Sequence, residues 1–362
     1  MNLGVFLAIG ESWEDFRFKG QDRLLINNNY TYYSKYFNKV FVFSYGQNNL
    51  NLLKNVDLLA NPLRLHRYLF TFFIPLLYSS QIKQCSVLRG MQLTSALPGL
   101  IAKFLYKKKF VVNYGYDYVK TAYIESKPIQ AVCYKIIERF LLRFVDIVIV
   151  TTEKLNHKVK TLTKKPVEII PNSVNTQLFK PLVHQKKDID LLFVGRLEKQ
   201  KNLEFLLKTI SKLKNKASSI VFVGDGSLKP KLLEMAKKLK INLRITGFVP
   251  HNITINYYQR SKIFVLPSLI EGHPKVLLEA MSCSLAVVGS AREGIKELIT
   301  HNHDGILVDN NTREYVKVMN NLIENAILRN KIGKIARQTI LRKFDQKRLF
   351  LREIQLLKNL NK

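Results

Sequence analysis

Short, continuous apolar runs recur along this chain, and each is followed by a stretch with helical apolar spacing. Runs of that kind are buried on both faces, which requires parallel strands joined by covering helices. In the first half the strand candidates are LGVFLA (3–8), KVFVF (39–43), CSVLR (85–89), KFVVN (109–113), DIVIV (146–150) and VEII (167–170). Helical patterns fall over 22–37, 66–78, 94–106, 128–144 and 153–162. The rhythm then restarts. LLFVG (191–195), SIVFV (219–223), LRIT (243–246), KIFVLP (262–267), LAVVG (285–289) and GILV (305–308) alternate with helices over 202–214, 228–240, 252–260, 275–283, 294–300, 312–328 and 329–342. Two such series predict two doubly wound α/β domains. We expect the first domain over 1–173, a polar linker over 174–187 that carries Pro181, and the second domain over 188–343. One amphipathic helix, 344–362, has no strand after it and is expected to pack back toward the first domain.

The chain has 362 residues and a formal net charge of +31. Such a surface attracts nucleic acid, anionic lipid or phosphorylated substrates. The competing reading is compositional drift toward Lys, Asn and Ile. No zinc-finger, bZIP or RRM-type pattern supports nucleic acid. No uncharged apolar run is long enough to span a bilayer, and YLFTFFIPLLYSS (68–80) is short and contains Pro75. Cys85, Cys133 and Cys283 are scattered, which argues for a reducing compartment. MNLGVFLAIGE lacks a basic leader region. A cytoplasmic protein is therefore expected.

Ligands of open parallel sheets bind beyond the carboxyl ends of the strands. EGHPKVLLE (271–279) lies at such an end. Gly272 permits a tight turn, Pro274 suits the first helical position, and the N–H groups of the helix start form an anion site. Glu279, farther along that helix, is placed to accept hydrogen bonds from vicinal hydroxyls such as those of a ribose. The plainer reading is a loop glutamate followed by a helix-surface glutamate. In VGRLEKQKNLEFLL (194–207), Gly195 ends a strand, and Arg196 and Lys201 flank a loop before a helix capped near Asn202. Two cations there suit a diphosphate, Arg as a planar fork and Lys as a point charge. VGDGSLKPKL (223–232) is a glycine-bearing turn without a P-loop pattern. Asp188 and Asp190 precede a strand, at the wrong end of the sheet for a site. No His/Cys/Asp spacing suggests a metal.

Taken together, IIPNSVNTQLFKP, LLFVGRLEKQKNLEFLL, IVFVGDGSLKPKL, ITGFVPHNITINYYQRSKIFVLPS, EGHPKVLLEAMSCSLAVVGS and GIKELI resemble the nucleotide-sugar-binding domain of the family 4 (group 1) glycosyltransferases of the GT-B fold. They cover most of 169–308 in the family's order. GESWEDFRFKGQDR, LRGMQLTSALPGLIAK and VVNYGYDY are similar to acceptor-side segments in some members. The resemblance implies two Rossmann-like domains facing across a cleft, and an NDP-sugar donor with no metal and no further cofactor. It places Glu271 at the donor sugar and α-phosphate and Glu279 at the ribose. Gly272, His273, Lys275 and Val276 offer backbone contacts, with Gly195 and Val249 also lining the donor site. Arg196 and Lys201 match the basic pair at the diphosphate. On the acceptor side it points to Gly10, Asn113 and Asp117. Departures are NSVN where NGVD is usual, and no histidine at 109–120.

The expected activity is retaining transfer of a sugar from an NDP-sugar to a glycan or lipid-linked acceptor in cell-surface polysaccharide synthesis, at an anionic membrane. Two alternatives stay open: a soluble acceptor, or a non-catalytic polyanion-binding protein on the same fold. RLHRYLFTFFIPLLY (64–78) and KFLYKKKF (103–110) set cations beside apolar side chains, as membrane contact would need or as two core-facing segments would show. The cluster Lys107, Lys108 and Lys109 is expected at a turn.

Overall fold

A computed structural model of the chain describes residues 1–214, 219–309 and 311–360, apart from the side chains of Leu24 and Asn28. It divides into two compact units, Met1–Pro171 with the C-terminal stretch from Lys347, and Asn172–Gln346.

Among the described residues, eight strands build the sheet of the first unit: β1 (Asn2–Phe6), β2 (Lys39–Phe43), β3 (Leu50–Leu53), β4 (Val56–Leu59), β5 (Val87–Gly90), β6 (Lys109–Tyr114), β7 (Ile147–Val150) and β8 (Val167–Ile169). Their order is β3-β4-β2-β1-β5-β6-β7-β8, with β3 antiparallel to β4 and every other pairing parallel. The helices are α1 (Trp13–Phe18), α2 (Asp22–Leu25), α3 (Thr31–Tyr36), α4 (Arg67–Leu77), α5 (Ser79–Gln84), α6 (Ala96–Tyr106), α7 (Tyr118–Ile124), α8 (Pro128–Leu141) and α9 (Glu153–Leu162). Apolar clusters on the two faces of the sheet form the core, one around Phe6, Phe70 and Phe110, the other around Val5, Trp13 and Tyr33.

The helix expected over 22–37 runs without interruption from Asp22 to Tyr36, with a π-helical turn, Ile26–Tyr30, between α2 and α3. α1 was hidden by its length, although Ser12 and Asp15 form a capping box at its start. The β3–β4 hairpin also escaped the apolar pattern, because β3 is an edge strand with Leu50 and Asn51 exposed. Lys107 ends α6 in the left-handed region, φ 51°, and Lys109 opens β6, so the lysine cluster does occupy a turn.

The second unit holds β9 (Ile189–Val194), β10 (Ile220–Val223), β11 (Leu243–Ile245), β12 (Ser261–Leu266), β13 (Ala286–Ser290) and β14 (Ile306–Val308). All pairings are parallel, in the order β11-β10-β9-β12-β13-β14. α10 (Leu203–Ile210), α11 (Lys229–Lys238), α12 (His251–Arg260), α13 (Lys275–Ser282), α14 (Thr312–Glu324) and α15 (Ala326–Lys343) cover it. The helix expected over 294–300 is instead a run of turns, entered through Gly294 at φ +76°. The polar stretch after Asn172 is anchored to this unit: Val174 and Phe179 enter its core, and Val174 pairs with Asp345.

α16 (Gln346–Asn359) returns the chain to the first unit, where Leu349, Ile354 and Leu357 join the Trp13 cluster. The last two residues of the helix expected over 344–362 lie outside the described residues. A buried ion pair locks α16 in place. Arg89 on β5 donates to both carboxylate oxygens of Glu353, at 2.5 and 2.9 Å, and Tyr33 Oη donates to the same group. Arg89 and Glu353 are 2% and 6% exposed. Removing one partner of such a pair strands the other charge and costs about 3–5 kcal/mol. Glu353→Ala is therefore expected to unfold the first unit at markedly lower denaturant. The chain's single tryptophan, Trp13, sits in the same cluster and reports that transition by fluorescence.

Candidate functional site

The strand order of the second sheet reverses between β9 and β12. Helices that follow neighbouring strands there leave on opposite faces, and a crevice opens at the carboxyl edge. The loops after these two strands are tied to each other. Leu269 N donates to Gln200 O at 2.9 Å, Gln200 Nε2 to Ile270 O at 2.7 Å, and Asn202 Nδ2 to Pro267 O at 3.4 Å. Asn202 adopts a left-handed conformation at the start of α10 and makes no side-chain cap there, contrary to the expected capping.

Within this frame Lys201 Nζ meets Glu271 Oε1 at 2.6 Å, with side chains 14% and 9% exposed. Arg196 stands exposed on the same loop as Lys201. Glycines let the backbones close in. A Cβ on Gly224, at φ +144°, would lie 2.0 Å from Gly195 O. One on Gly294 would lie 2.4 Å from the carbonyl oxygens of both Glu271 and Gly272. Neither position accepts a side chain without moving the loops that carry the charges.

The glutamate loop runs into α13, which begins at Lys275. Pro274 precedes it as the N-cap, with ψ 111°, and is not its first helical residue as expected. The first internal bond is Leu277 N to Pro274 O, so the N–H groups of Lys275 and Val276 head the helix. Gly272 is half-buried, Lys275 exposed, and Val276 and Val249 rest partly buried against the core. His273 is not solvent-facing. Its ring packs 5.5 Å from that of Phe344, its Nδ1 has no hydrogen-bond partner, and its carbonyl accepts from Asn172 Nδ2 at 2.7 Å. Burial pulls its pKa from 6.5 down to about 3.

Glu279 is buried, 5% exposed, and so is not the helix-surface glutamate of the plainer reading. Its Oε1 is 2.8 Å from His251 Nε2, and its Oε2 accepts from Tyr258 Oη at 2.9 Å. Burial and the neighbouring carboxylate push the Tyr258 pKa well up, so Tyr258 remains a donor. His251 and Tyr258 were missed from the sequence. Their signal is a seven-residue spacing, two turns along one face of α12.

In the first unit, Gly10 makes a turn after β1 at φ +83°. Asn113 is half-buried on β6, and Asp117 stands just beyond that strand's end; β5 separates β6 from β1. Asp117 caps α7 through Lys120 N at 2.9 Å and pairs with Lys158 Nζ at 2.8 Å. Lys158 in turn contacts the buried Glu138. Asp117 thus has structural partners of its own. Asp188 pairs with Arg260 before the strand, but Asp190 lies within β9 rather than before it, is 8% exposed, and is held by Lys262 and by Ser219 N. No cluster of three His, Cys, Asp or Glu side chains suited to a metal occurs among the described residues.

A cation pair, a helix N-terminus and a carboxylate on tied loops can hold a phosphorylated ligand, provided the anion shares Lys201 with Glu271. The neutral, buried His273 yields a prediction. The unfolded chain protonates it below pH about 6.5, whereas the folded chain does not until about 3. Its contribution to stability is therefore intact above pH 6.5 and lost as pH falls from there toward 3. His273→Phe is expected to remove this dependence. Between pH 7 and pH 5 the parent should lose about 2 kcal/mol more than the variant in denaturant titrations. Equal losses would mean the ring is not held neutral.

Comparison with known proteins finds relatives by sequence and by structure. Residues 174–339 match the model of "Glycosyl transferases group 1". A Campylobacter jejuni relative is N-acetylgalactosamine-N,N'-diacetylbacillosaminyl-diphospho-undecaprenol 4-alpha-N-acetylgalactosaminyltransferase. It is 29% identical over 174 residues, which cover 47% of each chain. The chain thus spans about half the length of the curated relatives it matches. Sucrose-phosphate synthase from Thermosynechococcus elongatus superposes with a TM-score of 0.83 at 16% identity, over 99% of both chains. HepE of Anabaena, solved in complex with UDP-glucose, gives 0.75 at 15% identity, again over 99% of each. At these identities the likeness establishes the fold, which is GT-B.

Proposed function

We propose that this chain is a group 1 glycosyltransferase that moves a sugar from a nucleoside diphosphate sugar to a glycan or lipid-linked acceptor in polysaccharide synthesis, a reading supported by the family match over the second unit. The observation that carries this reading is the Lys201–Glu271 pair beside the head of α13, at the point where the strand order reverses. The HepE complex and the lipid-linked substrate in the Campylobacter enzyme's name support the donor and acceptor classes.

In this proposal the donor's diphosphate lies against Arg196, Lys201 and the N–H groups of Lys275 and Val276. The bond from the anomeric carbon to the diphosphate oxygen breaks, and its electron pair leaves with the diphosphate. Fixed positive charge stabilises that leaving group, with no metal called upon. The acceptor hydroxyl attacks from the same face, its proton passes to the departing phosphate oxygen, and the anomeric configuration is retained. Retention rests on the family resemblance alone. Glu271 sits at the donor sugar. Glu279, whose oxygens each keep a second lone pair, accepts from the ribose while His251 and Tyr258 hold it in place. Gly10, Asn113 and Asp117 remain the proposed acceptor-side positions. The chain works at the cytoplasmic face of the membrane.

Arg196 is exposed, so Arg196→Ala should leave stability within about 0.5 kcal/mol while lowering turnover by roughly a hundredfold. Normal turnover in that variant would overturn the leaving-group role. Screening UDP-, GDP-, ADP- and dTDP-sugars by thermal shift identifies the donor, because bound ligand raises the melting temperature by mass action. Activity is expected to survive EDTA. Complete loss reversed by Mg²⁺ or Mn²⁺ would contradict the metal-free mechanism.

A further inference from the structure

α4 is apolar on two sides. Phe70 and Ile74 point into the core, whereas Tyr68, Leu69, Phe72, Phe73, Leu76 and Leu77 form an unbroken outward stripe, each 40–57% exposed. α6 packs against α4 on one side and α8 on the other, and Tyr106 Oη donates to Pro75 O at 2.8 Å. The end of α6 adds Phe104 and Leu105 to the exterior. α8 continues the face with a second outward stripe, Ile129, Val132, Ile136 and Phe140. Phe144 joins the two helices, its ring 5.7 Å from Phe104 and 5.1 Å from Phe140.

An exposed apolar face this continuous marks an interaction site. Its charge selects the partner. No Asp or Glu occurs between Asp57 and Asp117, a stretch that contains Arg64, Arg67, Lys83, Lys107, Lys108 and Lys109. On α8 and just beyond it, Lys135, Arg139 and Arg143 are exposed, and Glu138 points inward. The nearby carboxylates are already paired: Asp146 with Lys103 at 2.7 Å, and Glu125 with Lys127 at 2.8 Å. No helix among the described residues is long and apolar enough to cross a membrane.

We infer that the outer face of α4, the end of α6 and α8 is a docking surface for an anionic lipid bilayer. Aromatic and aliphatic side chains enter the headgroup boundary while the surrounding cations meet lipid phosphates. This extends the lipid-linked reading above, but it stands on a face that contains none of the proposed donor residues.

The test is flotation of the full chain with phosphatidylcholine vesicles holding about one-third phosphatidylglycerol, at about 0.15 M salt, where long-range attraction is screened. Two triple variants separate the contributions: Phe72→Ser/Phe73→Ser/Leu76→Ser, and Lys107→Gln/Arg139→Gln/Arg143→Gln. Ile327→Ser, an exposed apolar change in the second unit, is the control. The parent and the control should float. Each triple variant should lose roughly tenfold in partitioning, and vesicles of phosphatidylcholine alone should bind the parent poorly. Thermal shift by the identified nucleotide sugar should be the same in all four proteins, which shows that they are folded. Donor binding without flotation of the parent, or equal flotation of parent and variants, overturns the docking surface and leaves the proposed transferase intact. Flotation of a parent that binds no nucleotide sugar overturns the transferase instead. A lipid-free dimer that the first triple variant dissociates would place a second copy on this face and overturn the lipid assignment.

Discussion

Parallel strand pairing is the constraint on which the other features rest. A tight hairpin cannot join parallel neighbours, so each strand must be followed by a crossover that returns to the opposite edge. Every loop that follows a strand therefore lies along one edge of the sheet. In the second unit this brings Lys201 and Glu271, 70 residues apart, within 2.6 Å across neighbouring strands. Glycine is needed where backbones at that edge approach too closely for a Cβ, as Gly224 approaches Gly195 and Gly294 the glutamate loop.

The same constraint explains what was legible in the sequence. Strands buried on both faces appear as solid apolar runs, and all six of the second sheet were read at nearly their observed positions. β3 was missed because its outer residues face solvent, and α1, α5 and α7 because six or seven residues hold too few turns to show a period. The turns at 294–300 carry a helical pattern that Gly294 interrupts with a positive φ. In the candidate site, residues on strand-end loops could be seen, because charge and glycine together stand out after an apolar run. His251 and Tyr258 could not. They contact Glu279 from a different helix, and their seven-residue spacing along α12 is one that any ordinary helix face shares.

α4 shows how apolar spacing misleads. A helix that is hydrophobic all round reads as a buried one. Phe70 and Ile74 satisfy that reading, and the adjacent positions repeat the same period on the opposite side, where they stand exposed. Residue type alone cannot separate the two stripes. The lack of carboxylates around the outer one does, because an ordinary solvated face mixes both signs of charge.

The placement of the three cysteines makes that face chemically addressable. Cys85 and Cys283 are buried, and burial pushes both thiols up to about 12, out of reach of mild alkylation near neutrality. Cys133 is exposed on α8, beside Val132 in the outward stripe. A maleimide dye or spin label added to the unaltered chain would therefore attach at one position, in the middle of the apolar surface. The native sequence thus carries a built-in spectroscopic reporter there, with no cysteine to remove and none to introduce.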